Sequence, residues 1–257
     1  MRIVLDDIID KIKLHVIKNR LAKSLNLYNT GKHNSSFIIE FLGPPGVGKT
    51  TYSNILVKNL ARKKQLISAN SIRSLLNAEF VKYLIFQDFH VEIYNSFLNY
   101  LAMEDDQLIK RIRKLKFGLK ELECDALSNC FNGYVINDEG ISHHFAYLIL
   151  NKMLYDHLNV IDEYLHNRLI ILLDAPKEMI LSNIRKNLKN KKQIWEGYRG
   201  LSDDEITNNV EDVLQTEMKL CDFYSKVRNT AVLKLNLKND INGNINSIIT
   251  HLNISIN

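Results

Sequence analysis

Cysteine, proline and long apolar runs are all scarce in this sequence, and each shortage excludes a class of protein. The chain has three cysteines and three prolines among 257 residues. The cysteines, Cys124, Cys130 and Cys221, are odd in number and lack zinc-site spacing, so we expect buried thiols rather than disulfides or a zinc centre. The longest aliphatic run, residues 169–173, is five residues long, far short of the roughly 20 that a membrane-spanning helix needs.

The sequence also lacks a strong excess of either charge. Lys and Arg number 34 against 29 Asp and Glu, a formal net charge of +5, which suits a phosphorylated small molecule and disfavours a nucleic-acid coat. Hydrophobic residues make up 46% and charged residues 25%, so a folded globular chain is expected. Asp6, Asp7 and Asp10 stand where a secretory signal would carry its apolar region, and we therefore expect a cytoplasmic protein.

Glycine is rare as well, but it is concentrated in one place. Three of the ten glycines and two of the three prolines fall within residues 43–48. An apolar, strand-like run at residues 37–42 precedes them, and a helical pattern from 49 to about 63 follows. The segment reads Gly43, Pro44, Pro45, Gly46, Val47, Gly48, Lys49, Thr50, which satisfies the phosphate-binding pattern GxxxxGK[ST].

This segment predicts a phosphate-binding loop (P-loop) for ATP and Mg²⁺. Its glycines let backbone N–H groups turn towards a phosphate at the positive end of the following helix. Lys49 is expected to reach the β- and γ-phosphates and Thr50 to ligate Mg²⁺. We predict nucleotide contacts from residues 43–50 and from Thr51. The alternative, a glycine-rich turn without a ligand, is disfavoured because a strand and a helix flank the motif.

A second segment with polar chemistry ends another strand-like run. Residues 134–137 are followed by Asp138, Glu139 and Gly140, which resembles a Walker B segment. An acid at the carboxyl end of a parallel strand beside the P-loop strand faces Mg²⁺ and the γ-phosphate. Asp138 is the preferred acid, as metal ligand or base. Glu139 stays open as the base, since adjacent strand residues point to opposite sides, and a solvent-exposed turn is the other interpretation.

Apolar runs alternate with helical patterns along the rest of the chain. We predict strands near 37–42, 65–68, 134–137, 168–173 and 231–237, and helical regions near 49–63, 71–122, 142–156 and 202–229, with further helices after Pro176 and at the C-terminal end. Ser202 with Glu205 is a capping box. This alternation predicts an α/β class, namely a three-layer α/β/α P-loop NTPase fold with a mostly parallel five-stranded sheet. Residues 1–34 predict an N-terminal amphipathic helix and linker ahead of a domain at 35–257.

A basic segment lies between the fourth predicted strand and the next long helix. Residues 185–199 hold six Lys or Arg and a single acid. Phosphoryl transfer spreads negative charge over the phosphate oxygens, so a mobile basic lid would stabilise the reaction and exclude water. We predict a lid at about 186–202, with Arg185 and Arg199 as catalytic cations. A solvated polar loop is the alternative.

These motifs resemble, in kind and order, the P-loop nucleoside and nucleotide kinases, with thymidylate-kinase-like proteins nearest in layout. The resemblance spans about residues 35–257 and rests on GPPGVGKT, NDEG, LLDAPKEMILSNIRK and the basic segment. It implies that Arg185 also borders the nucleotide and that the loop of Lys238, Asn239 and Asp240 contacts the adenine, so Asn239 is a predicted nucleotide contact. The family's Asp-Arg or Glu-Arg pair is absent after Asp138, which leaves the acceptor open.

The leading hypothesis is a phosphotransferase that moves the γ-phosphate of Mg·ATP to a nucleoside, a nucleotide or a sugar-type acceptor. One alternative is an AAA-type ATPase in which Asp138 and Glu139 form Walker B. Another is a polynucleotide kinase or a toxin-like nucleotide-sugar kinase. Nucleic acid and membrane are disfavoured as partners, and a homodimer is left open.

Two further groups are interpreted as surface. His143 and His144 follow the acid motif without additional metal ligands, so an ordinary helix surface is preferred over a place lining the cleft. Cations crowd residues 110–116, where a solvated helix face is preferred over a site for an anionic acceptor.

Overall fold

The computed structural model describes residues 36–60, 66–75, 87–129, 131, 133–152, 158–189, 198–238 and 240–255. The predictions made for residues 1–34, for Cys130 and for Asn239 lie outside these residues, as do residues 190–197 of the predicted lid. Within the described part of the chain, no helix combines the length and the apolar character needed to cross a membrane.

The described residues form a five-stranded sheet with flanking helices, which confirms the predicted α/β class. The strands are β1 (Phe37–Leu42), β2 (Leu66–Ser68), β3 (Tyr134–Asn137), β4 (Arg168–Asp174) and β5 (Val232–Asn236). Their order in the sheet is β2-β3-β1-β4-β5, with β2 parallel to β3 and β4 parallel to β5. The first six residues of β4 are buried, because a parallel strand covered on both faces needs a continuous apolar run.

Ten α-helices are described. In chain order they are α1 (Lys49–Leu60), α2 (Ala69–Leu75), α3 (Asp88–Met103), α4 (Leu108–Asn129), α5 (Ile141–His144), α6 (Ala146–Lys152), α7 (Leu158–Leu165), α8 (Lys177–Lys189), α9 (Asp203–Val227) and α10 (Ile241–Ser255). A 3₁₀ turn, Asn229–Ala231, precedes β5.

The helical region predicted at 71–122 contains separate helices, and the chain leaves the helix between α3 and α4. Glu104 has an extended backbone, with φ −72° and ψ 136°. The carboxylates of Glu104 and Asp106 each accept a hydrogen bond of 2.7 Å from Nζ of Lys114 in α4. Charged side chains of the connection are thus tied to the following helix, a long-range pairing that helical periodicity does not register.

The capping box predicted for Ser202 and Glu205 is present at the start of α9. The backbone N–H of Glu205 donates to Ser202 Oγ at 3.2 Å, and the N–H of Ser202 donates to a Glu205 carboxylate oxygen at 2.7 Å. These bonds satisfy N–H groups that would otherwise lack partners at a helix start. The buried face of this long helix includes Ile206, Val210 and Tyr224.

The chain divides into two compact units. Unit 1 contains Met1–Ile38 and Leu60–Asn137, and unit 2 contains Ile39–Asn59 and Asp138–Asn257. In unit 1 a cluster of buried apolar residues packs together, with Ile67 partly buried against it: Ile38, Ala69, Ile72, Cys124, Leu127, Phe131 and Val135. The P-loop and both residues of the predicted acid pair belong to unit 2.

Candidate active site

The glycine-rich segment predicted as a P-loop joins the end of β1 to the start of α1 in unit 2, and it keeps that name below. Gly43 has φ 137° and Gly46 has φ 85°. Residues other than glycine rarely adopt such positive φ angles. A Cβ at Gly43 would lie 2.8 Å from Val47 Cγ1, and one at Gly46 would lie 3.0 Å from the carbonyl oxygen of Ile180. Glycine is therefore required twice, for backbone conformation and for close packing.

Lys49, the first residue of α1, is 5% exposed. Its Nζ donates to the carbonyl oxygen of Gly43 at 2.5 Å and to that of Pro44 at 3.4 Å. The same nitrogen lies 3.3 Å from Oε1 of Glu139. The ammonium group is thus held at the loop by carbonyl oxygens and one carboxylate.

Thr50 and Asp138, the two residues predicted to hold Mg²⁺, are in contact. Oγ1 of Thr50 donates to Oδ2 of Asp138 at 3.0 Å. A hydroxyl and a carboxylate oxygen are hard ligands that suit Mg²⁺, which is usually bound by one or two protein groups together with substrate phosphates. No cluster of three or more His, Cys, Asp or Glu able to hold a metal occurs within the described ranges. The pair therefore fits a magnesium shared with a nucleotide rather than a protein cage.

Glu139 lies beside Lys49 with a partly exposed side chain. Burial acts to raise the pKa of this carboxyl group, but the charges of Lys49, His143 and His144 outweigh burial and leave the pKa below its ordinary value. Two adjacent acids therefore reach the P-loop differently, since Asp138 contacts Thr50 and Glu139 contacts Lys49. The sequence left the choice of register between them open.

His143 is not at an ordinary helix surface, so that interpretation is wrong. Its side chain is 15% exposed, and its Nδ1 lies 2.6 Å from Oε1 of Glu217 on α9. Its Nε2 lies 3.9 Å from Oε1 of Glu139. Glu217 lies 74 positions further along the chain, and that separation explains why no local motif revealed the pair.

The two arginines predicted as catalytic cations occupy different settings. Nε of Arg185 in α8 donates to Oδ1 of Asp203 at 2.6 Å, and its Nη2 donates to the carbonyl oxygen of Leu201 at 3.0 Å. Arg199 is exposed in the turn at residues 198–200. The structure thus ties Arg185 to the start of α9, and a catalytic role for either arginine stays a prediction.

One asparagine contacts the P-loop and another contacts the helix that follows it, and neither was found from the sequence. Nδ2 of Asn183 in α8 donates to the carbonyl oxygen of Gly46 at 2.9 Å. Nδ2 of Asn244 in α10 donates to the hydroxyl of Tyr52 in α1 at 3.0 Å. Both lie far from the P-loop in sequence, and no local motif marks either of them.

The loop predicted to contact an adenine begins the last helix. Oδ1 of Asp240 accepts from the N–H of Asn242 at 2.6 Å and from that of Gly243 at 3.2 Å. The N–H of Lys238 donates to Oδ1 of Asn236 at 2.9 Å. The side chains of Asn236 and Asp240 therefore accept backbone N–H groups on either side of residue 239.

Unit 1 contains a separate polar cluster around Arg73 of α2. Nη2 of Arg73 donates to Oε2 of Glu121 at 2.7 Å, and its Nε donates to Oε1 of Glu121 at 3.1 Å. Nη2 also lies 3.4 Å from Oδ1 of Asn137, at the end of β3.

The cations at 110–116 were predicted on a solvated face, and Lys110 in that run has a side chain that is 62% exposed.

Comparison with known proteins gives structural likenesses only. No family model matches the chain, and no curated protein matches it in sequence. Deoxyadenosine kinase from M. mycoides with bound dCTP is 16% identical, with a TM-score of 0.42 over 84% of this chain and 98% of that one. Shikimate kinase from Bacteroides thetaiotaomicron is 17% identical, with a TM-score of 0.44 over 84% of this chain and 98% of that one.

Shikimate kinase from Acinetobacter baumannii in complex with shikimate is 15% identical, with a TM-score of 0.36 over 85% of this chain and 93% of that one. Such low identities and TM-scores carry no argument about activity. The chemistry of this chain is argued from its own P-loop and acid pair.

Proposed function

We propose that this protein is an ATP-dependent phosphotransferase that moves the γ-phosphate of Mg·ATP to a small polar acceptor. The observation that carries the proposal is the meeting of Lys49, Thr50, Asp138 and Glu139 in unit 2. A P-loop lysine, a hydroxyl and two acids supply the cation, the metal ligands and the base that phosphoryl transfer requires.

The nucleotide phosphates would be held by the backbone N–H groups of residues 43–50 and by Nζ of Lys49. Carbonyl oxygens and Glu139 hold that ammonium group at the loop, so little side-chain entropy is lost when it pairs with a phosphate. Asn183 fixes the carbonyl of Gly46, which keeps the loop in the shape that directs its N–H groups inward.

Thr50 and Asp138 would hold Mg²⁺ together with the phosphates. When bound, the metal neutralises charge on the β- and γ-phosphate oxygens. Asp138 is then occupied as a ligand, which leaves Glu139 to accept a proton from an acceptor hydroxyl or to orient it. We therefore assign the metal to Asp138 and the base to Glu139, the choice that the sequence left open.

The acceptor would be a nucleoside, a nucleotide or a sugar-type molecule. Residues 138–140 lack the Asp-Arg or Glu-Arg pair of the kinases that the sequence resembles, so the turnover test below decides the acceptor class.

The second candidate function is an ATPase, and the position of Glu139 favours it. A carboxylate beside the P-loop lysine is also suited to polarise water for attack on the γ-phosphate. The two functions share every nucleotide-binding residue and differ in whether a hydroxyl or water is the nucleophile.

ADP release from Mg·ATP tests the proposal, measured alone and with separate pools of nucleosides, nucleoside monophosphates and sugars. Turnover that depends on one pool establishes the kinase and its acceptor class. Equal turnover in every pool, abolished by Glu139→Gln, establishes the ATPase. Removal of Mg²⁺ with EDTA and the variant Lys49→Ala are the negative controls, and turnover that survives both would contradict the site.

A further inference from the structure

Polar side chains form a row that runs away from the P-loop within unit 2. Nζ of Lys49 lies 3.3 Å from Oε1 of Glu139, and that same oxygen lies 3.9 Å from Nε2 of His143. Nδ1 of His143 then lies 2.6 Å from Oε1 of Glu217. The row thus passes from the start of α1 through the acid motif and α5 to the middle of α9.

Glu217 is the unusual member of the row. The residue is 1% exposed, and its Oε2 has no hydrogen-bond partner in the part of the chain that the structure describes. A buried carboxylate oxygen without a partner costs free energy relative to the same oxygen in water. Packing alone would favour an apolar side chain here, so an acid at this position calls for another role.

The partner of Glu217 is well placed for such a role. An imidazole ring has one nitrogen on each side, and when both carry protons both can donate. A carboxylate on Nδ1 fixes the orientation of the ring, and the direction of Nε2 follows from it. Here Nε2 faces Glu139, the residue assigned above as the base.

We propose that His143, anchored by Glu217, is a positioning residue that holds the Glu139 carboxylate against Lys49. The inference rests on the proposed function, because it concerns the base of the same site. Glu139 has a partly exposed side chain and follows a strand end, so contacts at Lys49 and His143 restrict its rotamers from two sides. A base fixed in this way is already oriented towards the nucleophile. Misplacement of such a group by about 1 Å can lower the rate by about 100-fold.

Kinetics of His143→Asn test the proposal. Asparagine keeps a short side chain with an N–H that can serve Glu217 and removes the ring nitrogen that faces Glu139. We expect kcat to fall by about 10-fold to 100-fold, while the Kd of a fluorescent ATP analogue with Mg²⁺ stays within about threefold because the P-loop is intact. Glu217→Gln should lower kcat less, since its amide oxygen still accepts from Nδ1.

A double-variant cycle separates positioning from general damage. If His143 acts through Glu139, adding His143→Asn to Glu139→Gln should cause no further loss of kcat. Glu211→Gln is the matched control for Glu217→Gln, because Glu211 lies on the same helix and its side chain is 40% exposed. The control should keep the wild-type kcat. Thermal unfolding of each variant checks that it is folded. If Glu217→Gln does not fold, the kinetics of His143→Asn alone test the proposal.

The outcomes distinguish this inference from the function on which it rests. No turnover of Mg·ATP by the wild type would overturn the proposed function and the inference together. Turnover by the wild type with an unchanged kcat in His143→Asn would leave the function standing and overturn the positioning role. Losses that multiply in the double variant would also overturn it, because His143 would then act independently of Glu139.

Discussion

Two buried carboxylates of unit 2 contact neighbouring residues of α5 and differ in how fully they are paired. Glu40 of β1 is 0% exposed. Its Oε1 accepts from the N–H of Ser142 at 2.7 Å, and its Oε2 accepts from the hydroxyl of Tyr164 at 3.1 Å and from Nη1 of Arg168 at 3.3 Å. Glu217 pairs with His143 through Oε1, while its Oε2 has no hydrogen bond among the described residues.

The difference distinguishes Glu40, whose charge stabilises the fold, from Glu217, for which we propose a role at the candidate active site. Glu40 has hydrogen bonds to both oxygens and an ion pair with a buried arginine, an arrangement whose disruption leaves an uncompensated charge in the core. Glu217 makes only part of the bonds it could make, and its partner leads through Glu139 to Lys49. Incomplete pairing of a buried acid therefore points to the candidate active site.

The largest expected effect is on turnover, at Lys49, which lies at the opposite end from Glu217 of the row of side chains that includes Glu139 and His143. Lys49→Ala should lower the rate of ADP release by at least about 1000-fold, because the cation that stabilises charge on the transferred phosphate is lost. The variant should still unfold cooperatively in urea. A rate within tenfold of wild type would mean that the transferred phosphate is stabilised elsewhere.

The largest expected effect on stability lies at Glu40. Glu40→Leu should lower the free energy of unfolding by about 3–5 kcal/mol, because Arg168 stays buried without its carboxylate. Urea unfolding followed by circular dichroism measures the change. The double variant Glu40→Leu with Arg168→Met should recover much of the loss, since both charges are then removed together. An unchanged midpoint in the single variant would contradict the structural role of the pair.

The same substitution at Glu217 sharpens the comparison. Glu217→Leu should change the free energy of unfolding by less than about 1 kcal/mol, because the lost hydrogen bond to His143 is offset by removal of an unpaired buried oxygen. Turnover should fall even though the fold is retained. A loss as large as that of Glu40→Leu would remove the distinction between the two carboxylates.

The smallest expected effect reports the charge of Glu217. Burial raises the pKa of the Cys221 thiol to about 12, and the nearby Glu217 carboxylate adds to the rise; burial likewise raises the pKa of Cys124 to about 12. Both thiols should therefore resist iodoacetamide at pH 8 in the native protein. Glu217→Gln removes a negative charge that disfavours the thiolate, so Cys221 should be alkylated about two- to fivefold faster at pH 9.

Peptide mass spectrometry of the alkylated protein measures both sites at once, and Cys124 in unit 1 is the internal control. Its rate should not change in the Glu217→Gln variant. Equal acceleration of both thiols would indicate general loosening of the fold, and no acceleration of Cys221 would mean that Glu217 carries no charge near it.

Much of the fold was accessible from the sequence because its signals are local. The strands at 37–42, 134–137 and 168–173 were predicted within one residue of β1, β3 and β4, since each is a short apolar run between polar segments. The capping box at Ser202 was also found, because both of its partners lie within one helical turn. The break between α3 and α4 was missed, because Lys114 reaches back across it to Glu104 and Asp106.

The candidate site was predictable only in part, for the same reason. GxxxxGK[ST] and the acid pair are compact motifs, and the structure brings Thr50 to Asp138 and Lys49 to Glu139. Asn183, Asn244 and Glu217 reach the site or its supports from α8, α10 and α9. Isolated polar residues on amphipathic helices carry no signal that separates them from solvated positions.

The sequence by itself determined the α/β class, the P-loop and the presence of two acids after β3, because backbone conformation and hydrophobic periodicity are set by neighbours along the chain. The tertiary structure decided which acid contacts which P-loop residue and that His143 joins Glu139 to a buried Glu217. Those pairings depend on strand register and helix packing, which bring together groups as many as 90 residues apart, as for Lys49 and Glu139. The role of a buried charged group depends on such partners.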